Sequence, residues 1–288
     1  MAARIFPMTS ANRAAWAVIQ ITPPVVEPLT LTEAKVHLRR DDITTDDSLI
    51  AALIATARAH IEAVTNRALC TQTLETVMDE WPAEGFFLIP RPPLQSVSSV
   101  KYTDSSGTQA TWGSSNYIVD TDSKPGRISP GYSVSWPTAT LQPVSAIRVR
   151  YVAGHGTEFT FTTDATTNEL TAAAHGLVNG EDLLVMSSGT LPGGLSIDTR
   201  YYVINAATNT FKVSTSKGGS AVDITSAGSG VHTAAKGISM PLRHAMLLLI
   251  GHYYQNRESV LVGGLGLVAA EMPQSVQALI APYRIWAF

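Results

Sequence analysis

The chain has 288 residues, and 288/150 is about 1.9, which sets a prior of two domains. Only 15% of residues are charged, against roughly 25% in an average globular protein. Twenty basic and 23 acidic residues leave a net charge of −3, which excludes a generally basic nucleic-acid binder and a polyanionic tail. One cysteine, Cys70, excludes an internal disulfide framework and a cysteine-rich zinc site. Thr, Ser, Ala and Gly take the places that charges usually hold, a composition suited to β-rich surfaces and subunit contacts. Met1–Ser10 lacks the apolar core of a signal peptide. No apolar run approaches the roughly 18 residues of a spanning helix, so no membrane partner is expected.

Residues 1–29 read as an extended arm. Pro7, Pro23, Pro24 and Pro28 interrupt it, and no period holds. Thr30-Leu31-Thr32-Glu33 is a capping-box pattern and predicts a short helix to about Arg39. Asp46, Asp47 and Ser48 supply the start of a second helix running to about Asn66. Its apolar stripe is Ile50, Leu53, Ile54, Ala57, Ile61 and Val64, with Arg58, Glu62 and Arg67 expected to face away. From Thr71 the period changes to two. Strands are predicted over Thr73–Asp79, Phe86–Ile89, Val97–Tyr102, Asn116–Val119 and Ala146–Val152, with turns at Asp104–Gly107, Lys124–Gly126 and Ser129–Gly131.

At Gly154-His155-Gly156 the composition shifts. Residues 157–236 hold 14 Thr, 9 Gly, one Pro and no Trp, the profile of a small β module. Its strand-like runs are Glu158–Thr163, Leu183–Met186, Tyr201–Asn205, Thr210–Ser214 and Ala221–Ile224. Helix character returns after Gly237, with Ser239 as cap and Pro241 in the first turn. Gly263–Gly266 reads as a link. Pro273 starts a last helix and Pro282 stops it. The predicted fold class is α+β: a helical core from N- and C-terminal segments, a β-rich middle region and an inserted all-β module. Four parts follow: the arm, a domain of 30–156 with 237–281, the insert at 157–236, and a tail at 282–288.

No motif carries catalysis. Cys70 has no neighbouring His and reads as a buried neutral thiol. There is no Gly-x-Ser-x-Gly elbow. The seven histidines are scattered without a His-x-x-x-His pair. Asp41, Asp42, Asp46 and Asp47 lack the spacing of a calcium loop and suit helix capping. The glycine clusters match no phosphate fingerprint. Arg148 and Arg150 share one strand face without a wider basic stripe, so they read as solvated or subunit-facing. Neither enzyme activity nor a cofactor is expected. The unusual feature is the aromatic tail: Tyr283, Arg284, Ile285, Trp286 and Phe288 follow a helix-stopping proline. Aromatic residues and Arg are common interface anchors. Either the tail packs on its own core or it docks in a partner.

Several segments together resemble the head–tail connector (adaptor) proteins of tailed bacteriophages. They are Glu27–Lys35, His37–Arg39, Asp46–Ile50, Thr65–Leu69, Pro90–Leu94, Val97–Tyr102, Tyr117–Asp120, Arg148–Gly154, Met240–Leu249, Tyr253–Glu258 and Leu279–Arg284. The chain departs from the family pattern at 157–236, whose His175–Leu177, Leu191–Leu195, Tyr201–Ile204 and Phe211–Ser214 are similar to a small β module of phage tail and fibre proteins. The resemblance implies a structural virion protein at the neck, assembled from the host cytoplasm. It implies a homo-oligomeric ring, usually a dodecamer, beneath the portal protein. That ring extends the DNA channel without binding DNA specifically, and it receives a stopper or tail-completion protein. It also implies that the tail at Tyr283–Phe288 docks on the portal. A rival reading makes the insert a binding module for a host-surface or capsid ligand, with Tyr201, Tyr202 and Phe211 as an aromatic platform; core packing is the simpler reading of those three aromatics.

Overall fold

The computed structural model describes residues 17–83, 85–256 and 273–286. The chain divides into two compact units, one built from residues up to 23 with 72–154, the other from 24–71 with 155–287.

The first unit is a sheet protein. Its strands are β1 (Ala17–Thr22), β2 (Gln72–Met78), β3 (Phe87–Leu88), β4 (Leu94–Thr103), β5 (Gln109–Trp112), β6 (Tyr117–Asp120), β7 (Arg127–Pro130) and β8 (Ile147–Ala153). Five of them form an antiparallel sheet in the order β1-β2-β8-β4-β5, and three a smaller sheet ordered β3-β7-β6. The period-two pattern explains β8: Ile147, Val149 and Tyr151 are fully buried, while Arg148 and Arg150 turn to the other face. There Arg148 and Arg150 donate to opposite oxygens of Glu75 on β2, at 2.9 and 3.0 Å. Tyr151 has a buried hydroxyl, and it donates to the carbonyl of Pro90 at 2.9 Å. Three tryptophans gather in this unit: Trp136 stacks on Trp81 at 5.0 Å and lies 5.1 Å from Trp112.

Three of these strands depart from expectation. Part of the arm is β1, because Ala17–Thr22 pairs antiparallel with β2, from Ala17 opposite Val77 to Thr22 opposite Thr73. Local pattern could not show this, since pairing comes from a strand some fifty residues later in sequence. Likewise β7 occupies Ser129-Pro130, read above as a turn, and β5 was not predicted at all. Both are four residues long, Gln-Ala-Thr-Trp and Arg-Ile-Ser-Pro, and neither carries a run of alternating apolar residues.

The second unit joins helices to a barrel. The helices are α1 (Leu31–Leu38), α2 (Asp47–Thr65), α3 (Met240–Gln255) and α4 (Gln274–Ile280). The capping box at α1 forms in full: the Glu33 N–H donates to Thr30 Oγ1 and the Thr30 N–H to Glu33 Oε2, each at 3.0 Å. Arg39, in the left-handed region, ends the helix. Ile50, Ile54, Ala57 and Ile61 of α2 meet Leu242, Ala245, Met246, Leu249 and Ile250 of α3, with Val276 and Ile280 of α4, in one buried cluster. By length and average composition α2 could cross a membrane, but its apolar stripe is spent on this core. Neither of two expected caps bonds its own helix. The Asp46 carboxylate accepts instead from the Tyr254 hydroxyl, and the Ser239 hydroxyl donates to that of Tyr283 at 3.2 Å.

The barrel is closed, in the order β10-β13-β12-β11-β14-β9. Its strands are β9 (Glu158–Asp164), β10 (Glu169–Thr171), β11 (Asp182–Ser187), β12 (Tyr201–Ile204), β13 (Thr210–Ser214) and β14 (His232–Lys236). Closure removes every free edge within it. Phe161, Leu170, Leu183, Val185, Tyr201, Val203, Phe211, Val213 and Ala234 fill the interior. Tyr201 and Phe211 are therefore core residues, the simpler of the two readings of these aromatics, and they form no aromatic platform. The run Ala221–Ile224 is not a strand, and β10 and β14 take the places that close the barrel.

Candidate functional site

The tail is anchored before it is free. After α4 the chain makes a single 3-10 turn at Ala281–Tyr283. The Tyr283 ring packs on the helical core, and its carbonyl accepts from Arg67 Nε. The Ile285 N–H donates to the carbonyl of Thr65 at 3.0 Å. That carbonyl is one of the acceptors left over at the end of α2, so the tail completes a helix terminus. Arg284 and Trp286 point away. The Arg284 guanidinium lies 4.2 Å from the Trp286 ring centroid, and Trp286 is 75% exposed. Of the five residues singled out in the tail, Tyr283 and Ile285 thus hold it, and Arg284 and Trp286 are presented to solvent. Phe288 lies outside the described residues.

The helix end that receives the tail is built from residues expected to face solvent. Glu62 is buried. One carboxylate oxygen accepts the Leu69 N–H at 2.7 Å, and the other accepts from Arg58 Nη1 at 3.0 Å. Arg58 also donates to both oxygens of Glu27, at 2.8 and 3.1 Å. Arg67 is buried too. The helical period of α2 placed these side chains correctly on its polar stripe. What it could not show is that the turn at 66–70 and the tail fold over that stripe. Cys70 lies beside this cluster. Burial pushes its thiol well above the ordinary value, and the nearby carboxylates add to the shift.

A second group of charges ties the barrel to the helices. Arg200, just before β12, is only 6% exposed along its side chain. It donates to Glu33 Oε1 at 2.7 Å and Oε2 at 2.8 Å, to the Pro28 carbonyl at 2.9 Å, and to Asp182 of β11. Arg243 of α3 donates to Glu33 Oε1 at 2.6 Å. Two cations and two carboxylates thus share one partly buried cluster. Burial alone would raise the Glu33 carboxyl, but the Arg200 hydrogen bonds and both guanidinium charges outweigh it and hold the group below its ordinary 4.5. No sequence motif marked Arg200; Glu33 was legible only as a capping residue.

The barrel also carries a groove of about 610 Å³, lined by Thr160, Phe161, Thr162, Thr163, Ser229 and His232 among others. His232 is fixed, one ring nitrogen 3.0 Å from Ser187 Oγ and the other 2.9 Å from the Ala227 carbonyl. Among the described residues no three His, Cys, Asp or Glu side chains gather as a metal-ligand set. Arg148 and Arg150 are engaged by Glu75, as described above.

No protein-family model matches the chain, and no curated protein matches it. Solved structures do. A chain in the virion of a native gene transfer agent particle aligns with a TM-score of 0.54 at 15% identity, over 94% of this chain and 96% of that one. Chains from the neck of such particles align equally fully. One, in a native particle's neck computed with C12 symmetry, gives a TM-score of 0.53 at 15% identity, covering 94% and 97%. Another, in an empty particle's neck computed with C6 symmetry, gives 0.52 at 15% identity with the same coverage. At this identity the likeness is one of fold, and it spans both compact units.

Proposed function

We infer that this chain is a structural subunit of a neck ring in a phage-type particle. In this reading it is an adaptor between the portal and the tail-completion protein, with DNA passing through the ring. The observation that carries the reading is the fold match over 94% of the chain to neck chains in particles computed with six- and twelve-fold symmetry. The segment resemblance to connector proteins points the same way. The role is one of assembly, without a chemical reaction. Residues 157–236 act as an insert in the connector fold. Their ends support this, since the Lys236 N–H donates to the Thr157 carbonyl at 3.2 Å, and adjacent ends make an insertion cheap in loop entropy. The docking element is the exposed pair Arg284 and Trp286, held out by the anchors at Tyr283 and Ile285.

The test is electron microscopy of the cognate portal ring mixed with full-length protein or with an Arg284→Ala/Trp286→Ala variant. Truncation is a poorer tool, because it would remove the Tyr283 and Ile285 anchors. The expected result is an added ring with the wild type and loss of that ring with the variant. A ring with both moves docking elsewhere on the subunit. No ring with either, at low and high salt, overturns the adaptor assignment.

A further inference from the structure

A sheet that ends in solvent must protect its outer strands, because their free N–H and C=O groups template pairing with other chains. Soluble monomers do so with charges, prolines or bulges at the edge. The five-stranded sheet here has the opposite distribution. Its charges sit on inner strands: Glu75 on β2, Arg148 and Arg150 on β8, and Lys101 on β4. Its outer strands, β1 with Ala-Val-Ile-Gln-Ile-Thr and β5 with Gln-Ala-Thr-Trp, have neither a charge nor a proline, and the one register shift on β1, between Gln20 and Thr22, leaves Ala17–Gln20 in regular pairing with β2. Among the described residues, β1 pairs only with β2 and β5 only with β4.

The side chains of β1 are as open as its backbone. All six residues are exposed. Ile19 stands opposite Glu75, in a cross-strand row that continues to Arg150. Val18 stands opposite Thr76, in the row that continues to buried Val149. Both faces of β1 therefore extend ordered rows of the sheet into solvent. Val18 is 37%, Ile19 42% and Ile21 40% exposed.

Strand direction narrows what can cover these edges. Every neighbouring pair in the sheet is antiparallel, so β1 and β5 run the same way. A rotation about an axis along the strands preserves their direction. It would bring one copy's β1 beside the next copy's β5 as a parallel pair. Such a head-to-tail contact joins two different patches, and it closes into a ring when the rotation divides the circle. A two-fold axis perpendicular to the strands would instead pair β1 with β1, or β5 with β5.

We propose that β1 and β5, the two uncharged open edges of one sheet, are the two halves of the contact between neighbouring copies of this chain. The inference rests on the ring reading above and names the surface that builds the ring. The copies join through main-chain hydrogen bonds at the edges, with Val18, Ile19 and Ile21 buried against the neighbour.

The native chain has one cysteine, and it is buried, so introduced thiols report cleanly. The Ile19→Cys/Thr111→Cys variant, assembled on the portal ring and treated with a short bismaleimide, is expected to give a ladder of covalent multimers. Each single variant is expected to give none. Ile19→Lys, at an exposed position, is expected to fold as the wild type by circular dichroism and to lower ring formation about tenfold or more. Dimers from Ile19→Cys alone would reveal two-fold pairing and overturn the proposal. So would wild-type ring formation by Ile19→Lys, or wild-type rings whose double-cysteine variant gives no ladder. If the wild type forms no ring at all, the ring reading falls first and this contact falls with it.

Discussion

The two β structures of this chain solve the edge problem in opposite ways. The barrel at β9–β14 closes on itself and leaves no edge. The five-stranded sheet β1-β2-β8-β4-β5 leaves two. The barrel fills its interior with apolar side chains, and the unit that contains it gathers charge into two partly buried clusters, one at Arg58 and one at Arg200. The sheet keeps its charges along its middle and exposes apolar side chains at its rim. A closed element is complete as folded, whereas an open, uncharged rim is complete only when something pairs with it.

Four experiments sharpen this comparison. The largest effect is expected from Arg200→Met, which leaves Glu33 and Asp182 with one guanidinium instead of two. Removing one partner of a buried ion cluster costs about 3–5 kcal/mol. Urea unfolding of the full chain should show the loss, and a cost below about 1 kcal/mol would mean that Arg243 alone balances both carboxylates.

Acid should act through the same cluster. The Glu33 carboxyl is held below its ordinary 4.5 in the folded chain. Its contribution is therefore fully present above that value and is lost as pH falls through the lowered folded value. The wild type should lose stability below pH 4.5 more steeply than Glu33→Gln. Parallel curves for the two proteins would exclude Glu33 as the titrating group.

Next comes Tyr151→Phe in the sheet. It strands the Pro90 carbonyl and should cost about 1 kcal/mol. Burial also pushes the Tyr151 hydroxyl well above its ordinary value of 10.0, so no phenolate from this residue should appear in an alkaline spectrophotometric titration of the folded protein. The smallest effects are expected at the assembly positions. Ile19→Ser and Trp286→Ala should each change monomer stability by less than about 0.5 kcal/mol, as exposed positions do. A loss of more than about 2 kcal/mol at either would place that residue in the subunit's own core.

Much of this molecule was legible before folding. The capping box at Thr30, the stripe of α2, the alternation of β8 and the composition break near Gly154 each depend on contacts a few residues long, where propensity and period carry the signal. The tail was legible as an aromatic segment, but not its division into anchors and exposed residues. That division depends on Arg67 and the Thr65 carbonyl, which lie more than two hundred residues away in sequence. Glu62 shows the same limit: its helical position was right and its burial was not, because a later segment covers the stripe it lies on.

The amino-acid sequence by itself determined which segments are helical, where the longer alternating strands such as β2, β4 and β8 lie, and that charge is scarce. Only the tertiary structure decided which edges close, which charges meet and which apolar rows stay open. Periodicity is a property of neighbours along the chain. Strand partnership and burial are properties of neighbours in space, and the pairing of β1 with β2, or the meeting of Arg200 with Glu33, exists only once the chain has folded.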